Sequence, residues 1–148
     1  MQIRPAAPAD GPAYIALVRA LADFEKLAGP SDEAAARLLA DAFGPRPRYE
    51  LTVADLDGDV CAYAVTFETY STFLARPTLF LEDLFVHPRA RRRGVATALL
   101  EHLRARARER GCGRFEWMVL DWNVDAQRLY EGLGAERMET WRLMRITV

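Results

Sequence analysis

Residues Leu79 to Ala96 read LFLEDLFVHPRARRRGVA, an apolar strand with two adjacent carboxylates that runs through a basic, glycine-containing turn into a helix. A strand entering a helix through a tight turn leaves the first helical N–H groups without partners. Those donors, together with the helix dipole, favour an anion such as a pyrophosphate. Gly94 lets the backbone come close to such a ligand. No Gly-Lys-Ser/Thr closes the turn as in a P-loop, and no Gly-x-Gly-x-x-Gly follows the first strand as in a dinucleotide fold. The plain alternative is a solvated arginine turn before an ordinary helix.

Working outward, Val95, Ala96, Leu99, Leu100, Leu103 and Ala107 make one apolar face of a helix from Gly94 to Arg110, with arginines opposite and Gly111 ending it. Upstream, Gln2 to Arg4 form a short first strand. Pro5, Pro8 and Asp10 then lead into a helix with Tyr14, Leu17, Val18 and Leu21 at helical spacing. Gly29-Pro30 breaks the chain, and Ser31 or Asp32 caps a second helix that runs to about Phe43. Tyr49 to Asp55, the turn at Asp57-Gly58, and Val60 to Thr69 read as an antiparallel hairpin, and a coil from Tyr70 to Pro77 precedes the strand Thr78 to Val86. Downstream come a strand from Arg114 to Leu120, a short helix from Val124 to Leu133 and a last strand from Trp141 to Val148. Strands and helices in this order predict one mixed α/β domain spanning residues 1–148.

A chain of 148 residues with 51% hydrophobic content supports one sizeable core, and the formal net charge of −1 places the arginine clusters in a balanced protein rather than a basic one. Cys61 and Cys112 form no CxxC pair, and His87 and His102 make no metal-ligand spacing with them, so no metal is expected. The thiols are expected to be reduced and the chain cytoplasmic. No leader and no long apolar run indicate a membrane.

Glu82 and Asp83 interrupt an otherwise apolar strand. Because adjacent strand residues point to opposite faces, one or both carboxylates must enter a semi-buried region, where desolvation favours accepting a proton. Glu82 is then either a general base or half of a structural ion pair with an arginine. A second cluster is Asp121-Trp122-Asn123, with Ala126, Tyr130 and Gly134-Ala135 after it. Asn123 sits where a helix N-cap is expected, and Tyr130 lies two helical turns later on the same face. Its phenol can act as a general acid, or it is a core aromatic with its hydroxyl bonded.

The spacing Arg91-x-x-Gly94-x-Ala96 resembles the acetyl-CoA pyrophosphate signature of the GNAT superfamily of N-acetyltransferases. Tyr70-Ser71-Thr72-Phe73, Leu81 to Val86, Leu120 to Asn123, Leu129-Tyr130, Gly134-Ala135 and Trp141-Arg142-Leu143 resemble its diamine acetyltransferase branch, which includes spermidine/spermine and thialysine acetyltransferases. The resemblance implies a largely antiparallel mixed sheet flanked by helices, with splayed central strands. It implies acetyl-CoA as co-substrate, Glu82 as the base and Tyr130 as the acid. Leu84, Phe85 and Val86 would pair with the pantetheine arm, and Arg91, Arg92, Arg93, Gly94, Val95, Ala96 and Thr97 would wrap the pyrophosphate. Asn123, Ala126 and Tyr130 would also contact the cofactor. Glu25, Asp83, Glu139 and Trp141 fall near positions that meet the amine. Glu116 adds acidic character that would draw a small cationic amine toward the site.

The polyamine enzymes carry an Asp-Pro pair where this chain has Ser71-Thr72, which points away from spermidine and toward thialysine-type relatives. A homodimer without nucleic-acid or membrane partners is implied. The rival readings are a nucleic-acid-binding module built on Arg89 to Arg93 and Arg104 to Arg110, a cofactor-binding regulatory domain without turnover, and an acetyltransferase acting on a protein amine.

Overall fold

The computed structural model describes residues 1–148 and divides into two compact units, Met1–Met118 and Val119–Val148. The first unit holds strands β1 (Gln2–Pro5), β2 (Glu50–Leu56), β3 (Asp59–Ser71), β4 (Arg76–Val86) and β5 (Arg114–Trp117), with helices α1 (Gly11–Glu25), α2 (Asp32–Phe43) and α3 (Val95–Glu109). The strands make one sheet in the order β1-β2-β3-β4-β5. The first three pairings are antiparallel, and β4 with β5 is parallel. The parallel step follows from the connection, since β4 reaches β5 by way of α3, as a crossover requires.

Alternation along the strands sorts the sheet into two faces. Leu51, Val53, Tyr63, Val65 and Phe85 pack with Tyr14, Ile15 and Leu17 of α1 and Ala35 of α2. The residues between them are small or polar and equally buried: Thr52, Ala54, Ala62, Ala64 and Thr66. That is the surface a helix can approach closely, and α3 presents Val95, Leu99, Leu100 and Leu103, all buried. Ser31 caps α2 by accepting from the Ala34 amide at 3.2 Å. At the start of the chain Arg4 grips Asp10 with two nitrogens at 2.7 and 3.0 Å and reaches Asp55 at 3.1 Å, tying β1 to β2 and to the entry of α1.

Two features of β4 set up the site. Its pairing with β3 slips: Val65 lies opposite Asp83 and Thr66 opposite Leu81, so Glu82 is the extra residue of a β-bulge. Its pairing with β5 runs from Thr78 to Leu81 and stops, leaving Glu82 to Val86 beyond the end of β5. The strands therefore part at the bulge, and the backbone groups of β4 beyond that point lack a strand neighbour on the β5 side.

The second unit contains α4 (Val124–Gly132). Asn123 caps it, accepting from the Ala126 amide at 3.3 Å, and buried Gln127 ties down the preceding loop through the carbonyls of Leu120 and Asp121, both at 2.9 Å. Gly134, at φ 86, ends the helix in the left-handed conformation that glycine adopts at low cost.

The structure corrects three expectations. β3 runs on to Ser71 and β4 begins at Arg76, so the coil expected from Tyr70 to Pro77 narrows to residues 72–75. The strand from Arg114 ends at Trp117 rather than Leu120. The segment Trp141 to Val148, expected to be a strand, is irregular, with Trp141, Leu143, Met144 and Ile146 exposed. Its apolar residues fit a strand, but a strand needs a neighbour for its N–H and C=O groups, and no strand of the sheet pairs with this segment.

Candidate active site

The bulge decides how the two carboxylates of β4 are placed. With Glu82 inserted, Asp83 falls opposite Val65 and shares the α1 face with Phe85 and Tyr63. Glu82 is exposed, whereas Asp83 is half-buried. The desolvated acid is thus Asp83. Burial pushes its pKa up to about 6, and the nearby Glu82 and Glu25 carboxylates raise it further. The Tyr63 hydroxyl pulls the other way. Glu25 stands half-buried at the C-terminal end of α1, so three acids from two elements meet beside the point where β4 and β5 part. Such a cluster is repulsive alone and becomes favourable around a cation.

The turn after β4 is built for close approach. Arg92 and Gly94 both have positive φ, 61 and 76. A side chain at Gly94 would meet nothing within 4 Å, so glycine is required there by its backbone conformation, and the space beside it is open. No side chain caps α3, and its first intrahelical bond runs from the Ala98 amide to the Gly94 carbonyl at 2.9 Å. The amides of Val95, Ala96 and Thr97 therefore point out of the helix start as donors. That arrangement, next to the edge of Leu84 to Val86 that no strand covers on the β5 side, fits a ligand with a pyrophosphate at one end and an amide-bearing arm at the other.

Arg91 is held against the protein in this structure. Its guanidinium lies over the rings of Phe24 and Phe85, 5.3 and 5.7 Å from their centroids, and its Nε donates to the Val86 carbonyl at 3.1 Å. It clamps the turn to the ends of β4 and α1. Arg92 and Arg93 are exposed.

Among the remaining expected substrate residues, Glu116 stands on β5 opposite Phe80, with Arg114 at 3.8 Å. Glu139 and Trp141 lie in the exposed irregular tail of the second unit, which also carries Asn123, Ala126 and Tyr130. Burial raises the Tyr130 phenol above its ordinary pKa, so it is protonated at neutral pH. Burial likewise raises both the Cys61 and Cys112 thiols, which opposes a nucleophilic role for either.

Several arginines of the basic clusters are engaged within the protein. Arg110 pairs with Glu50 at 2.6 Å, Arg106 with Glu50 at 3.7 Å, Arg104 with Glu101 at 3.4 Å and Arg89 with Asp59 at 2.8 Å. Sequence reasoning missed a cluster of tyrosines under α1. The Tyr14 and Tyr49 hydroxyls lie 3.1 Å apart, Tyr49 donates to the Leu38 carbonyl at 2.7 Å, and the Tyr14 ring meets Tyr63 edge-on at 5.1 Å. The available signal was a phenol at each of three core positions where phenylalanine would suffice.

With this geometry in place, the comparison with known families is decisive: the Acetyltransferase (GNAT) family matches residues 16–135. The chain belongs to that family. It is an acyltransferase of the group that moves acetyl from acetyl-CoA to amines. It is 33% identical over 156 aligned positions to a thialysine N-epsilon-acetyltransferase of Bos taurus, covering 98% of this chain and 91% of the relative. An L-ornithine N5-acetyltransferase of Arabidopsis thaliana is 40% identical over 88 positions, covering 60% of this chain and 39% of that one. An aminoglycoside N-acetyltransferase solved in complex with CoA superposes with a TM-score of 0.82 at 23% identity, covering 99% of this chain and 95% of its own. This last likeness supports the fold.

Proposed function

We propose that this acetyltransferase moves the acetyl group of acetyl-CoA directly to the primary amine of a small cationic molecule of the diamine, polyamine or thialysine kind. The observation that carries the reading is the bulge at Glu82. It sets an exposed carboxylate and a desolvated one side by side where the open backbone of β4 begins. Thialysine and L-ornithine, the acceptors in the relatives' names, each end in such an amine.

In this reading Asp83 and Glu25 receive the acceptor's positive charge. Glu82 takes the proton from the attacking ammonium group, directly or through a water molecule. That removal is needed because an alkylammonium has a pKa near ~10.4 and is almost wholly protonated at neutral pH. The nitrogen then attacks the thioester carbonyl, and the C–S bond breaks as Tyr130 gives a proton to the departing thiolate. The second proton lost by the nitrogen returns through solvent to the Tyr130 phenolate. The backbone of Leu84 to Val86 aligns the pantetheine arm, while Arg92 to Thr97 hold the pyrophosphate, with Asn123 and Ala126 as further cofactor contacts. Holding both reactants at once supplies much of the acceleration.

Glu82→Gln preserves size and hydrogen bonding but accepts no proton. Turnover should fall on the order of 100- to 10,000-fold near neutral pH and recover as pH rises and more amine arrives deprotonated. Rate against pH for both proteins, with melting temperature as a control, tests this. An equally active Glu82→Gln protein across the range removes the base assignment. Tyr130→Phe should lower turnover while keeping most acetyl-CoA affinity, and turnover within a few-fold of the parent when chemistry is rate-limiting makes Tyr130 a packing residue.

A further inference from the structure

Tyr63 lies in the middle of β3 with 0% of its surface exposed. Its partner across the ladder is Phe85, and its ring meets Tyr14 edge-on at 5.1 Å and 74°. Its hydroxyl makes no hydrogen bond of ordinary length and angle, and the acceptor on which it acts is the Asp83 carboxylate. The neighbouring phenols differ, since Tyr14 and Tyr49 bond to each other and Tyr49 bonds onward to Leu38. A buried hydroxyl without an ordinary hydrogen bond loses its hydration and gains little, and phenylalanine would fill the same volume without that penalty. The oxygen on Tyr63 therefore calls for an explanation other than packing.

Strand register locates the group it serves. Tyr63 pairs with Phe85 and Val65 with Asp83, so Asp83 is the diagonal neighbour of Tyr63 on the α1 face, at a separation that an aromatic side chain spans. The bulge creates this relation, because unbroken alternation from Leu81, opposite Thr66, would turn Asp83 to the other face. The groups that act on Asp83 are Glu82 on its own strand, Glu25 from α1 and the Tyr63 hydroxyl from β3. Asp83 in turn acts on the phenols of Tyr14 and Tyr49. When Asp83 is protonated it needs no donor. When ionised among two other acids it needs one, and Tyr63 is the phenol whose hydroxyl is not already committed.

We propose that Tyr63 is a positioning residue for Asp83: its hydroxyl is held in reserve beneath the sheet face and donates to the Asp83 carboxylate when that group ionises. One carboxylate oxygen is then fixed from behind by Tyr63 while the other faces the acceptor's cation, and the proton lost by Asp83 goes to solvent. The role given to the cation rests on the reading of Asp83 proposed above. The coupling between Tyr63 and Asp83 does not. Burial places the Asp83 midpoint near 6, so the exchange falls in an accessible pH range.

The test is a carboxyl-carbon NMR titration of Asp83, assigned with Asp83→Asn, in the parent and in Tyr63→Phe. Loss of the donor removes a group that favours the ionised form, so the midpoint should rise in Tyr63→Phe by on the order of one pH unit, a tenfold change in acidity. In the unmutated protein the Tyr63 ring carbon bearing the hydroxyl should titrate with the same midpoint as Asp83, a readout that holds even if the variant folds poorly. A midpoint unmoved by Tyr63→Phe, or a flat Tyr63 trace, overturns the proposal. KM for a cationic amine, measured alongside, separates the two ideas. It should rise several-fold near the Asp83 midpoint and return toward the parent value above pH 8, whereas a packing role would change it equally at every pH. A shifted midpoint with KM unchanged throughout would support the coupling and remove Asp83 as the cation's receptor.

Discussion

Asp83 makes the fold less stable at neutral pH than an uncharged residue of the same shape would. Its pKa is about 6 in the folded protein against an ordinary 3.8, chiefly through burial. A raised folded-state pKa means that the folded chain holds the proton more tightly than the unfolded chain. The associated stability is therefore fully present below the ordinary value and lost as pH rises through about 6. At roughly 1.4 kcal/mol per unit the difference is about 2 to 3 kcal/mol. Asp83→Asn should accordingly raise the melting temperature at pH 7 to 8, with the advantage disappearing below pH 4 and acceptor KM rising. Thermal melts at several pH values check this, and a gain independent of pH would contradict it. That an acid on this strand is desolvated was legible from its apolar neighbours. Which acid it would be was not, because a bulge adds one residue to one strand and leaves no mark in the periodicity of Leu79 to Val86.

At the scale of elements, the strand–turn–α3 unit was read almost residue for residue, since an apolar strand, a glycine and a helical stripe are local signals. Gly94 is its critical position. Valine there would have to adopt φ 76, which costs an L residue roughly 1–2 kcal/mol, and would fill the open space beside the backbone. Gly94→Val should fold with a modest loss of stability and bind acetyl-CoA at least about tenfold more weakly, as the cofactor's approach to the backbone amides is blocked. Calorimetry showing unchanged affinity in the folded variant would remove the turn from the cofactor site. Arg91 shows where local reading stops: the motif marks the position, but its contact with Phe24 joins residues far apart in sequence. Trp141 to Val148 fails for the opposite reason. Its composition suits a strand, and composition does not supply a neighbour.

For the whole molecule, the order of strands and helices indicated a mixed α/β sheet, and the sheet has that form, with β4 at its parallel junction. The face assignments of β2 and β3 follow from alternation, so most of the core around α1 was legible as well. Less accessible were contacts between distant residues that turn a strand of acids into a graded set, Glu82 in solvent, Asp83 desolvated and Glu25 arriving from α1. The central claim is that this set serves acetyl transfer to a small cationic amine bound together with acetyl-CoA. Steady-state thiol release with both substrates varied, across a panel of thialysine, ornithine, lysine, diamines, spermidine and an aminoglycoside, tests it directly when the acetylated product is weighed by mass spectrometry. The account predicts amine-dependent thiol release matched one to one by acetylated amine, with double-reciprocal lines that intersect and thialysine-like acceptors ahead of spermidine. Parallel lines, or a protein that binds acetyl-CoA while no amine on the panel raises thiol release above hydrolysis, would contradict it.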